Sequence, residues 1–109
     1  MIENLTFGEA LEAVKEGKCI SRKGWNGKGM FVFMRPEDEL QKLFLIDAVK
    51  SLPASVKSYF ASNTKETQVK EKVKFTAYLC MKTADDSIVN GWLASQTDML
   101  AEDWCVLDY

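Results

Sequence analysis

At 109 residues the chain has room for one domain with a modest core, and its 47% hydrophobic and 28% charged residues are ordinary for a globular protein. A net charge of −2 argues against a dedicated DNA-binding protein, which carries a strong basic excess. The sequence has no histidine, which removes Ser–His and Cys–His catalytic pairs and leaves any catalysis to carboxylates, lysines or a metal.

The N-terminus, Met1-Ile2-Glu3-Asn4, is acidic and no long apolar segment follows it, so neither a signal peptide nor a membrane span is expected. Cys19, Cys80 and Cys105 form an odd set without CxxC spacing. They suit free thiols in a reducing cytoplasm, and with no histidine and the cysteines widely scattered no zinc site is expected. Thr6 and Glu9 match a capping box, and Phe7, Ala10, Leu11 and Val14 recur at helical spacing before Gly17. A helix that covers a sheet is expected there.

Strands are expected over 18–23 and 30–35. Between them runs Gly24-Trp25-Asn26-Gly27-Lys28-Gly29, in which Asn26-Gly27 is a turn signal. The run reads either as a hairpin turn that folds its tryptophan onto the core or as a glycine-rich loop that approaches a ligand. In the second reading Trp25 supplies a stacking face and Arg22, Lys23 and Lys28 supply charge. The spacing fits neither the dinucleotide fingerprint nor the P-loop. Residues 36–62 read as a helical insertion: Pro36-Glu37-Asp38-Glu39 resembles a helix start, Leu40, Leu43, Phe44 and Asp47 share a face, and Pro53 ends that helix or opens a second one.

Residues 62–71 read as a loop. From Val69 to Lys82 apolar and lysine-rich positions alternate, which predicts one long strand with a solvated lysine face. Ala84-Asp85-Asp86-Ser87 and Asn90-Gly91 read as turns on either side of a short strand at Ile88-Val89, and 104–109 as a final strand. Ser95 and Asp98 read as an N-cap pair that opens a short helical turn, with backbone N–H groups available to an anion. Trp104 and Met99 are expected in the core. The resulting expectation is an α+β fold in a single domain, 1–109: an N-terminal helix on a mostly antiparallel sheet, with a helical insertion and a short C-terminal helical turn.

Two stretches together resemble a known family. They are Arg22-Lys23-Gly24-Trp25-Asn26-Gly27-Lys28-Gly29-Met30-Phe31 with Met81-Lys82-Thr83-Ala84, and Gly91-Trp92 through Ala94-Ser95-Gln96-Thr97-Asp98-Met99-Leu100-Ala101 to Asp103-Trp104. The chain is similar there to the phage Thoeris anti-defence type 2 proteins, while residues 37–74 match no motif of that family. The resemblance implies a non-enzymatic sponge, encoded by a phage or prophage and acting in the cytoplasm of the infected bacterium. Such proteins bind the cyclic ADP-ribose-type signal of Thoeris immunity, typically the 1″–3′ isomer, without a cofactor or metal. They assemble as homotetramers with pockets between subunits, and some also bind cyclic oligonucleotides at separate sites.

On that reading the ligand-binding candidates are Arg22, Trp25, Asn26, Lys28, Phe31, Asn90, Trp92, Ser95, Gln96, Thr97 and Asp98. The aromatics Trp25, Phe31 and Trp92 are expected to stack on the base, Arg22, Lys28 and the amides after Ser95 to meet the pyrophosphate, and Asn26, Asn90, Gln96, Thr97 and Asp98 to bond the riboses or base edge. Two other classes compete: a nucleotide-metabolising hydrolase using Asp98 or Asp103 with a metal at Asp85 and Asp86, and a single-stranded nucleic-acid module built on Trp25 and its lysines.

Overall fold

The computed structural model describes residues 1–25 and 29–109. The chain divides into two units, one formed by 1–36 with 77–109 and the other by 37–76. In the first, β1 (Ile2–Leu5), β2 (Ile20–Arg22), β3 (Phe31–Arg35), β6 (Tyr78–Lys82), β7 (Ile88–Asn90) and β8 (Trp104–Val106) form a six-stranded sheet in the order β1-β8-β2-β3-β6-β7. Every pairing is antiparallel. One helix, α1 (Phe7–Lys15), lies on this sheet, and α4 (Gln96–Leu100) precedes β8. The second unit holds β4 (Asp38–Gln41), α2 (Lys42–Ala48), α3 (Ala54–Asn63), a 3-10 turn at Glu66–Gln68 and β5 (Lys72–Phe75), with β4 and β5 paired. This is the α+β fold with a mostly antiparallel sheet that the sequence predicts. Among the described residues, no helix is long and apolar enough to cross a membrane.

Helix α1 forms where the capping box places it. The Glu9 N–H donates to Thr6 Oγ1 at 3.2 Å and the Thr6 N–H to Glu9 Oε1 at 3.0 Å, so two otherwise orphaned donors are satisfied. Gly17, at φ +93°, turns the chain out of the helix. Ala10 and Val14 are fully buried against Ile20, Val32, Trp104 and Val106 of the sheet. Thr6→Ala is expected to lower stability by about 1 kcal/mol, read as a drop of about 4 °C in Tm. An unchanged Tm would mean that the helix start is held by packing alone.

Three sequence expectations need correction. Asp38 and Glu39 lie in β4, not at a helix start, because Asp38–Gln41 pairs in register with Lys72–Phe75. The expected long strand is two: β5 serves the small sheet and β6 the large one, and Thr76 and Ala77 belong to neither. Its alternating pattern continues unbroken across the switch, so periodicity alone could not show it. The lysine face holds for Lys72 and Lys74, but Cys80, on the same parity, is fully buried. Finally, Met99 is 46% exposed rather than core, whereas Trp104 is completely buried as expected. Strand β1, at the edge of the sheet, carries no pattern that predicted it.

Candidate functional site

The β2–β8 ladder brings the glycine-rich loop to the C-terminal motif. Ser21 pairs with Cys105 and Arg22 with Trp104, and the Lys23 N–H donates to the Asp103 carbonyl at 3.2 Å just beyond the last pair. Residues some eighty positions apart are thereby held side by side. Three tryptophans meet here. Trp25 and Trp92 each stand edge-on to Trp104, at 5.3 and 6.4 Å between ring centroids, and edge-on to each other at 6.3 Å. Edge-to-face rings at these separations attract through their quadrupoles. Trp104 is the buried base of the group, and Trp25 and Trp92 remain half-buried.

A charge cluster borders the rings. Arg22 Nη1 donates to Asp98 Oδ1 at 2.7 Å, and Arg22 Nε donates to Asp103 Oδ1 at 2.8 Å. The Arg22 and Asp98 side chains are each 14% exposed, so both ion pairs lie in surroundings where charge is weakly screened. Asp98 Oδ1 also accepts from Trp25 Nε1 at 3.1 Å, and the Asp98 carbonyl accepts from Trp104 Nε1 at 2.8 Å. Asp98 is therefore the joint between the charges and two of the rings. Its own turn uses what remains: the Asp98 N–H donates to Ser95 Oγ and the Ser95 N–H to Asp98 Oδ2, completing the predicted cap.

These contacts set the protonation of the cluster. Burial, the largest influence on Asp98, pushes its carboxyl up, but bonds from Arg22, Trp25 and Ser95 together hold it below the usual carboxylate range. Asp103 is also held low, chiefly by the Arg22 bond, against burial and with help from the Gly24 N–H. Arg22 is raised by Asp103 first and Asp98 second. At neutral pH the cluster is one cation between two anions.

The candidate residues separate accordingly. Arg22, Trp25, Trp92, Ser95 and Asp98 come together, with Gln96 and Thr97 exposed on the first turn of α4. Asn26 and Lys28 lie outside the described residues. Phe31 and Asn90 stand on the opposite sheet face, because Phe31 pairs with Lys82 and Asn90 with Cys80, one residue out of phase with the core positions Val32 and Met81. There Phe31 leans on Phe33 and Tyr109, and Cys80 Sγ donates to Asn90 Oδ1 at 3.5 Å. Arg22 is engaged by two carboxylates rather than open to an anion, and two of the amides at the α4 start are already paired with the cap.

Asp85, the candidate metal ligand, spends its carboxylate on Thr83 and Ser87 within its turn, and Asp86 pairs with Lys82 at 2.7 Å. Two cavities of about 300 and 190 Å³ lie away from the rings, one lined by Ile2, Lys18 and the last strand's exit, the other by Leu11, Val14, Met34 and Leu79. Reasoning from sequence did not place Asp103 among the binding residues, although the structure makes it a partner of both Arg22 and the glycine-rich loop. Its only sequence signal is its place beside Trp104 in the C-terminal motif.

The family model for the Thoeris anti-defense 2-like domain matches residues 5–107, which includes both loops and all three tryptophans. A similar protein is the Thoeris anti-defense 2 protein of Bacillus phage SP01, 38% identical over 107 residues that cover 98% of this chain and 99% of the phage protein.

Proposed function

We propose that the chain, a member of the Thoeris anti-defense 2-like family, acts against Thoeris defence by binding and sequestering a cyclic ADP-ribose-type signal, such as the 1″–3′ isomer, without cleaving it. The observation that carries this reading is the pair of half-buried rings, Trp25 and Trp92, fixed beside the exposed polar turn Ser95-Gln96-Thr97. A base stacked on an aromatic ring gains about 1–3 kcal/mol, and hydroxyl and amide side chains on the turn suit ribose hydroxyls. The absence of histidine accords with capture rather than hydrolysis.

Sequestering a scarce signal takes roughly nanomolar affinity, about 12 kcal/mol, and two rings and one turn supply only part of it. Because Arg22 is already neutralised, positive charge for the pyrophosphate falls to Lys28 and to groups of a second subunit. A homotetramer with the ligand held between subunits, in the cytoplasm of the infected bacterium, meets that requirement. Phe31 and Asn90, on the far sheet face, belong in this reading to a contact made across subunits, and a separate site for cyclic oligonucleotides is part of the same proposal.

The test is a capture-and-release experiment. The protein is mixed with the 1″–3′ cyclic isomer, freed of unbound nucleotide and heat-denatured. Intact signal recovered in stoichiometric amount is expected; cleaved product alone, or turnover at substoichiometric protein, would place the chain among hydrolases instead.

A further inference from the structure

Asp103 holds three consecutive residues, Arg22 at the end of β2, Lys23 and Gly24, at once. Its carbonyl accepts from the Lys23 N–H at 3.2 Å, its Oδ1 from Arg22 Nε at 2.8 Å, and its Oδ2 from the Gly24 N–H at 2.8 Å. Immediately after this grip the Trp25 N–H closes a turn onto the Arg22 carbonyl at 3.3 Å, and the Trp25 ring docks on Trp104 with its Nε1–H on Asp98. Gly24 is required for a steric reason. A Cβ there would lie 2.8 Å from Asp103 Oδ2 and 3.2 Å from Arg22 Nη2, inside the space the carboxylate needs to reach the amide. Gly24 has no positive φ in this conformation, so a side chain there displaces the carboxylate without straining the backbone.

From these contacts we infer that Asp103 is a positioning residue. It latches the chain at Arg22 and Gly24 so that Trp25 is presented in a preformed orientation, and the latch raises ligand affinity by removing the ordering cost that an unlatched Trp25 would carry at binding. The inference rests on the sequestration reading for its consequence, but the latch itself has a readout without ligand.

The experiment uses the full chain labelled with 5-fluorotryptophan, whose three tryptophans give three fluorine resonances, with Trp25→Phe identifying one of them. In Asp103→Ala and Gly24→Ala the Trp25 resonance is expected to move toward the free-indole position while the far-ultraviolet circular dichroism and a single cooperative urea transition are kept, which shows an intact core. The dissociation constant for the 1″–3′ cyclic isomer is expected to rise roughly tenfold in both, the scale of a lost charge-assisted bond. Asp103→Asn, which keeps an acceptor for the Gly24 N–H, is expected to fall between these variants and the unmodified chain. A Trp25 resonance unmoved in both alanine variants overturns the latch. A moved resonance with affinity unchanged within twofold overturns its role in recognition. If the unmodified chain binds no cyclic ADP-ribose isomer while the resonance moves, the sequestration reading fails and the latch stands.

Discussion

Trp104→Ala is expected to lower the unfolding free energy by about 3–5 kcal/mol, a large part of the roughly 5–15 kcal/mol available to a domain of this size. Trp104 is the largest fully buried side chain among the described residues, and it contacts four segments of the chain. Phe7 of α1 lies 5.3 Å from it, Trp25 of the loop 5.3 Å, and Trp92 after β7 6.4 Å, and its indole N–H donates to the Asp98 carbonyl at 2.8 Å. Truncation leaves a cavity bounded by the rings of Phe7, Trp25 and Trp92, and a close-packed surround relaxes into such a cavity only partly. Urea titration should show the midpoint falling with an unchanged slope. A loss below about 1 kcal/mol would mean the site collapses freely, contrary to the packing described. Trp104→Phe keeps much of the ring contact and loses the indole bond, so a smaller loss is expected from it.

Arg22→Ala is expected to cost about 2–3 kcal/mol at neutral pH, somewhat less than a fully buried ion pair because solvent reaches the edge of the cluster. The variant leaves Asp98 and Asp103 facing each other without the cation that both contact. The pH dependence separates this cause from simple loss of packing. Both carboxyls are held low in the folded chain, so their stabilisation is present above the ordinary carboxylate value near 4 and is lost as pH falls through the lower folded values. Without Arg22 both carboxyls rise, and protonation relieves their repulsion. The stability gap between the two proteins should therefore be widest near neutrality and narrow as pH falls to about 4 and below. A gap that stays constant over that range would assign the loss to packing. Arg22→Lys is not a rescue, since an ammonium lacks the fork that reaches both carboxylates.

How much of this was legible in sequence depends on how far apart the cooperating residues lie. The α1 capping box spans three positions, and its bonds are those that the residue types require. The same holds for the Ser95–Asp98 cap, whereas Asn90 ends β7 rather than opening a turn and the chain bends at Gly91, φ +73°. The helical insertion was legible in its apolar-rich run and in Pro53 at the start of α3, but its opening strand was not, because Asp38–Gln41 becomes a strand only by pairing with Lys72–Phe75, and the expected face is displaced: Leu43 and Phe44 are exposed and Leu45 is buried. Met99 is exposed against expectation for a related reason: apolarity states what a side chain gains on burial, not whether a neighbour is there to cover it.

Local chemistry alone determined the capped helices, the turns, the all-free-thiol, histidine-free composition and the two motifs that mark the family. Tertiary structure alone decided what those motifs do to one another. The β2–β8 register joins Arg22 to Asp98 and Asp103 across some eighty residues, neutralising the cation that the sequence offered to an anion. Strand parity sends Phe31 and Asn90 to the other side of the sheet from Trp25 and Trp92. Pairing and parity are properties of neighbouring strands, and a single strand's sequence does not contain its neighbour.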